Sequence, residues 1–138
     1  IFTNTAITGS KYVKSIAPNI QGNEVEFVPL FNVKAGSGIG YKNFISSIQI
    51  TYLSSQYTDA SNIKTNPNDN TYGVFGQIPA YYVADFSTSY KWKRWKLEGG
   101  ITNFTNNSYF TRRATGYPGP GIIPSDTRTF YTTLEFVF

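Results

Sequence analysis

Two adjacent arginines carry the densest chemistry in this sequence. Arg112 and Arg113 stand in "FTRRATGYPGPG" (110–121), with Tyr109, Tyr117 and Arg128 close by in the chain. A guanidinium holds its N–H donors in a rigid fork that fits a carboxylate or a phosphate, so the stretch reads as an anion-contacting loop. Two other uses stay open: the arginines brace the loop itself, or they meet phosphates at a membrane surface. A second set of charges, Lys34, Asp85, Lys91, Lys96, Glu98 and Glu135, is spread over separate segments. No pair among them shows the convergence that acid–base work needs, and the chain has no histidine to serve as a base. It has no cysteine either, which excludes thiol chemistry and a disulfide framework. "GSGIG" (36–40) lacks the helix and Lys-Ser/Thr that follow a phosphate loop. The net charge is only +4 and no Lys/Arg run exceeds two residues, so a nucleic-acid face is excluded. The sequence therefore predicts no catalytic residue, no metal ligands and no cofactor. Ligand chemistry, if present, belongs to the loops.

What must position those loops is a set of alternating strands. In "RTFYTTLEFVF" (128–138), Phe130, Leu134, Phe136 and Phe138 share one face, with Thr132 as the interruption. Tyr131, Thr133, Glu135 and Val137 share the other. Successive side chains of a strand point to opposite faces, so a period of two gives one greasy face and one mostly polar face. The same alternation runs through "FNVKAGSGIGY" (31–41), "FISSIQITYL" (44–53), "YVADFSTSYKW" (82–92) and "WKLEGGIT" (95–102). "IFTNTAIT" (1–8) is a weaker strand whose faces the pattern leaves unassigned. The reading puts Ile48, Ile50, Tyr52, Phe86, Tyr90, Trp92 and Trp95 with the greasy face of the last strand. Lys34, Gln49, Asp85, Lys91, Lys96, Glu98 and Glu135 go to the polar one. No segment has a convincing helical period, so the fold class is all-β with about six antiparallel strands.

Only 14% of the residues are charged, against roughly 25% in soluble domains, while aromatics reach 17%. No run approaches the roughly 18 apolar residues of a membrane helix, and the mean hydropathy is −0.29. Alternation hides an apolar face from any averaging window, so these facts exclude a helical membrane protein but admit a transmembrane barrel. The connections favour the barrel. Tight turns fall at about 41–43 and 93–94, and long Gly/Pro/Asn-rich stretches at about 9–28, 58–79 and 105–126. Structureless loops beyond about 12–15 residues are uncommon in compact domains, whereas short periplasmic turns and long extracellular loops are the pattern of outer-membrane barrels. If the last strand ends at the periplasmic rim, both tight turns are periplasmic and all three long loops extracellular. The "WKRW" turn then sets Trp92 and Trp95 at the interface depth that indole rings favour, with Phe138 beside them. Six strands cannot close a membrane barrel, whose bacterial minimum is eight. The chain also contains no methionine and opens on "IFTNTAITG". Residues 1–138 are therefore expected to be one segment of a larger barrel, with the remaining strands outside this chain.

At this point the residues resemble a known family. "VADFSTSYKWKRWKLEGGITNFTNNSYF" followed by "TRRATGYPGPGIIPSDTRTFYTTLEFVF" is similar to the C-terminal end of TonB-dependent outer-membrane receptors. The nearest likeness is to the ferric-citrate-receptor-like branch of Bacteroidetes-type bacteria. The elements that carry it are Asp85, Ser87, Ser89 and Tyr90, then Asn103, Tyr109 and Phe110, then the 110–121 loop and the final phenylalanine. Residues 80–138 bear the resemblance; residues 1–79 fit only in topology. It implies a 22-stranded barrel in the outer membrane of a Gram-negative bacterium, holding an N-terminal plug domain and driven through TonB. It also implies that Phe130, Leu134, Phe136 and Phe138 are read by the barrel-assembly machinery.

On that basis the expected cargo is a ferric chelate or another small nutrient. Arg112, Arg113, Tyr109 and Tyr117 are its candidate contacts, since ferric citrate and many siderophore complexes are anionic. Arg128 shares parity with the greasy face and is assigned to lipopolysaccharide phosphates. The six spread charges are assigned to a lumen filled by water or a polar plug. Two other readings stay open: a passive porin-like or structural barrel segment, and a soluble β-sandwich or lipid-binding barrel.

Overall fold

Pairing fixes which residues share a face, and here it joins every predicted strand into one sheet. The computed structural model describes residues 1–64, 73–117 and 119–138. Among them all regular structure is strand: β1 (Phe2–Ile7), β2 (Phe31–Tyr41), β3 (Phe44–Leu53), β4 (Gln56–Tyr57), β5 (Gln77–Ile78), β6 (Tyr81–Trp92), β7 (Trp95–Thr102), β8 (Phe110–Ala114), β9 (Gly121–Pro124) and β10 (Thr129–Phe136). Six of these form one antiparallel sheet in the order β1-β2-β3-β6-β7-β10. The edges are β1 and β10, which do not meet, so the sheet is not a small closed barrel.

Residues directly opposite in a ladder point to the same side, so the register settles the faces. Phe136 pairs with Trp95 and Trp95 with Trp92, while Leu134, Leu97, Tyr90 and Phe44 form one continuous row. Phe130, Ile101, Phe86 and Ile48 form another, and Ala84, Ile50 and Ala35 a third. Opposite them stand Glu135, Lys96 and Lys91 in one row and Asp85, Gln49 and Gly36 in another. The unassigned strand is thereby assigned: Thr3, Thr5 and Ile7 join the apolar face, and Phe2, Asn4 and Ala6 the polar one.

The apolar side chains of this sheet are not a core. Phe130, Leu134, Tyr90, Leu97, Trp92 and Trp95 are all exposed, and among the described residues no second sheet covers them. A soluble sandwich would bury that face, so the sandwich reading is not the fold found. Polar intrusions on the same face are silenced locally. The hydroxyls of Thr132, Thr88 and Ser46 donate to the carbonyls of Glu98, Ile45 and Ser87 at 3.1, 3.2 and 3.4 Å. A donor that finds its acceptor on the neighbouring strand needs none from its surroundings.

The polar face is partly filled from within the sheet: at Gly36 the space is taken by the Phe2 ring of β1, whereas Cβ atoms at Gly38 and Gly40 would meet neighbours no closer than 3.6 and 3.8 Å. A Cβ at Gly36 would lie 2.5 Å from the ring. Gly100 is covered in the same way by Tyr131 of β10, again at 2.5 Å. Each edge strand thus lays an aromatic ring over a glycine of its neighbour, replacing the side-chain contact that glycine lacks.

Both tight turns have two residues, Lys42–Asn43 and Lys93–Arg94. Each begins with a lysine in the left-handed region, at φ 52° for Lys42 and 54° for Lys93.

The long connections depart from the expectation of irregular chain. The third holds a hairpin of β8 and β9, the second a short ladder of β4 and β5, and the first an isolated bridge between Lys11 and Glu24. "GIIP" (121–124) and "FTRRA" (110–114) are short and stand on either side of a Gly/Pro-rich stretch, which masked their strand character. The middle of the second loop (65–72) and Pro118 lie outside the described residues.

Candidate ligand-contacting loop layer

All three long connections leave the same end of the sheet, and they are bonded to each other. The Asn23 amide donates to the Ala60 carbonyl at 2.9 Å. Asn62 accepts from the Glu24 N–H at 2.7 Å and donates back to the Glu24 carbonyl at 2.9 Å. The Phe27 N–H donates to Tyr57 at 2.8 Å. First and second loops are thus joined through backbone groups that would otherwise need water. Asn62 and Phe27 both adopt positive φ, 56° and 58°, so the local backbone is bent to make these contacts.

Arg113 joins the second loop to the third. Its guanidinium donates to the carbonyls of Gly73 at 2.6 Å and Gln77 at 3.0 Å and lies over the Phe110 ring, 5.1 Å from the centroid. Gly73 and Gly76 border it so closely that added Cβ atoms would stand 3.3 and 3.4 Å from its nitrogens or carbon. Ile78, Val74 and Ala114 are buried beside this contact and make the layer's small apolar core. Tyr109 stacks on Tyr81 with ring centroids 4.7 Å apart.

The third loop is anchored to the sheet by Asn103, which is 2% exposed and sits at φ 48°. Its amide donates to Asn107 and Asp126 carbonyls at 2.9 and 3.3 Å, and its oxygen accepts from the Asn107 N–H at 2.9 Å. Its own N–H donates to the Asp85 carboxylate at 2.9 Å.

The four candidate contacts therefore divide. Adjacent residues of β8 point to opposite sides, so Arg112 and Arg113 cannot act as a pair. Arg113 is turned into the layer and braces it, as the second of the three readings had it. Arg112 and Tyr117 are exposed, Tyr117 at 97%. Tyr109 is half-buried in its stack. The layer's brace residues Asn23 and Asn62 were missed, because an isolated asparagine in a loop reads as turn chemistry, and Asn103 was singled out only as a motif residue, not as a brace. Arg128 is exposed, its N–H donating to the Asn106 side chain at 3.1 Å.

In the first loop the Tyr12 hydroxyl donates to Glu26. That hydrogen bond holds the phenol above its ordinary pKa of 10.0, because ionising it would set two anions together.

On the sheet's polar face Lys91 stands directly opposite Lys96. Lys96 is compensated by Glu98 at 2.6 Å and by Glu135 at 3.9 Å. Lys34 stands opposite Thr51 and Asn4 on the same face. Among the described residues no group of three acidic side chains gathers as a metal site would require.

Solved structures share this arrangement. The ferric citrate transporter FecA, in its unliganded form, superposes with a TM-score of 0.84 at 22% identity, over 97% of this chain and 20% of its own. The ferric yersiniabactin uptake receptor FyuA of Yersinia pestis gives 0.74 at 16% identity, over 99% and 20%. The siderophore receptor PiuA of Acinetobacter baumannii gives 0.67 at 18% identity, over 85% and 15%. At such identities the likeness is one of fold, and the chain spans about a fifth of the length of these structures or less. No curated protein sequence matches it.

A family model does match. TonB dependent receptor-like, beta-barrel, covers residues 2–104, including the half where the sequence resemblance was one of topology alone. Members of that family are outer-membrane transporters of Gram-negative bacteria rather than enzymes. The alternation, the register, the uncovered apolar face and the family model agree: the chain belongs to the TonB-dependent receptor-like β-barrel family, and its sheet is a sector of an outer-membrane barrel.

Proposed function

We propose that residues 1–138 are the C-terminal segment of a 22-stranded importer that takes up a ferric chelate, of the citrate or siderophore kind, with energy supplied through TonB and a plug domain. The observation that carries the reading is the braced loop layer, with the exposed Arg112 standing beside the half-buried brace Arg113. An anionic chelate needs fixed cationic donors, and a loop held by its neighbour loses less freedom when the ligand binds. The names of the structural neighbours, a ferric citrate transporter and siderophore receptors, support the same cargo class. In this reading the polar face, with Lys34, Asp85, Lys91, Lys96, Glu98 and Glu135, lines the lumen. Trp92, Trp95 and Phe138 form the periplasmic girdle, and Arg128 meets lipopolysaccharide. Phe130, Leu134, Phe136 and Phe138 are the residues read by the barrel-assembly machinery.

The test uses the complete receptor in a host lacking its own iron receptors. Growth on an anionic ferric chelate should require TonB. Arg112→Ala should weaken chelate binding about tenfold, the loss of one charged hydrogen bond. Arg113→Ala should instead raise proteolytic cleavage in the second and third loops. Uptake that persists without TonB would favour the passive porin-like alternative. Failure of every anionic ferric chelate to bind would overturn the cargo class.

A further inference from the structure

The rim formed by the two tight turns carries a feature that importing a chelate does not use. Lys42, Lys93 and Arg94 occupy the turn tips, and the turns are neighbours, since the Lys91 N–H donates to the Asn43 carbonyl at 2.9 Å. No ion pair involves these three cations among the described residues; both recorded ion pairs belong to Lys96. Lys42 lies over the Tyr41 ring and Lys93 over the Trp92 ring, at 5.2 and 5.4 Å from the centroids. Both rings belong to the exposed apolar face. Each cation is thereby held where the greasy band ends.

Backbone strain points the same way. Both lysines occupy a left-handed position that glycine or asparagine adopts at lower cost, and that tight hairpin turns ordinarily give to those residues. Strain kept at two equivalent positions, each time for a lysine, argues that the charge is wanted there. Arg94 and Lys93 also line a recess with Lys91, Lys96 and Trp95. That recess opens on the polar face, where Lys96 is paired with Glu98 and Glu135, so the cations left for the apolar side of the rim are those at the turn tips.

We infer that this rim binds the headgroups of anionic phospholipids, with phosphatidylglycerol as its occupant. The aromatic face would take the acyl chains and the three cations the phosphates. Cations beside an anionic membrane surface each contribute about 1 kcal/mol, or about fivefold in binding. Three together would give a strong preference over a zwitterionic lipid, weakened by salt.

The test is quenching of Trp92 and Trp95 fluorescence by brominated lipids in vesicles holding the complete receptor. The signal is read as the difference from its Trp92→Phe/Trp95→Phe variant. Brominated phosphatidylglycerol should be preferred over brominated phosphatidylcholine by tenfold or more at low salt, and the preference should shrink in 0.5 M salt, taken as roughly three times physiological ionic strength. The variant Lys42→Gly/Lys93→Gly/Arg94→Ser relieves the left-handed strain, so the barrel should assemble as well as before and lose the preference. Lys14→Ser, in the first long loop, should leave it intact. Equal quenching by the two lipids in the unmodified receptor overturns the inference, and so does a preference that survives the triple variant. Such vesicles carry the lipid in both leaflets, so the result is independent of which end faces the periplasm and of the cargo.

Discussion

The two faces of the sheet are built by the same six strands, yet they set a hydroxyl among different neighbours. On the apolar face Ser46, Thr88 and Thr132 each turn back to a backbone carbonyl of the neighbouring strand. On the polar face Ser47 and Ser87 bond to one another at 2.7 Å, and charged rows run alongside them. Glycine differs too. On the polar face Gly36 and Gly100 are covered by aromatic rings, whereas a Cβ on Gly99, on the apolar face, would meet its nearest neighbour at 3.6 Å. The difference teaches that the hydroxyls of Ser46, Thr88 and Thr132 on the apolar face need nothing from its surroundings. At Gly36 and Gly100 the polar face is filled by its own edge strands.

The largest expected effect comes from forcing charge onto the wrong face. Leu134→Arg should impair assembly of the complete barrel, since a lipid-facing arginine at the midplane costs about 2–4 kcal/mol. Thr133→Arg, one residue away and on the other face, should assemble nearly normally. Heat-modifiable gel mobility reads both, and equal yields would break the comparison between faces.

A smaller effect separates two adjacent glycines. Gly100→Ala should destabilise the barrel by about 1–3 kcal/mol, because the Tyr131 ring must move. Gly99→Ala should be neutral or mildly stabilising, as a strand glycine gains a side chain without a clash. Urea unfolding in lipid vesicles measures the pair. Adding Tyr131→Ala to Gly100→Ala should recover part of the loss; no recovery would mean that the ring contact is not the cause.

The smallest effect lies beyond both faces, in the first loop. Tyr12 is raised above its ordinary pKa by its hydrogen bond to Glu26. A raised folded-state pKa means that the bond's contribution is complete below about pH 10 and lost as pH climbs through the higher folded value. Phenolate absorbance should therefore begin at lower pH in Glu26→Gln than in the parent protein. Coincident titrations would show that the hydrogen bond leaves the phenol unperturbed.

Strands were legible because two periods superposed. Alternation gave the faces of residues 31–41, 44–53 and 95–102 without revision. Turn lengths gave the antiparallel order, since a two-residue connection can join only adjacent strands. β1 resisted because Thr3 and Thr5 are as compatible with one face as with the other, and only pairing with β2 resolved them. Phe2 and Tyr131 were unreadable for a different reason. An aromatic residue on a polar face makes sense only beside a glycine 34 or 31 positions away in sequence, respectively, and that proximity is a product of register. The loop layer was read least well. "TRRAT" announces two cations but not that alternation within β8 sends one inward, and the partners of Arg113 are carbonyls, which every residue has.

The bonding between loops bears on how a surface of this kind could acquire a new cargo. Exchanging the third loop alone would leave the Gly73 and Gln77 carbonyls without Arg113, and exchanging the first would strand Asn62. A transplant of single loops, by recombination or by a protein engineer, would thus inherit polar groups that have lost their partners across the layer. The heritable unit is the layer, and the sheet beneath it is the part that can be reused.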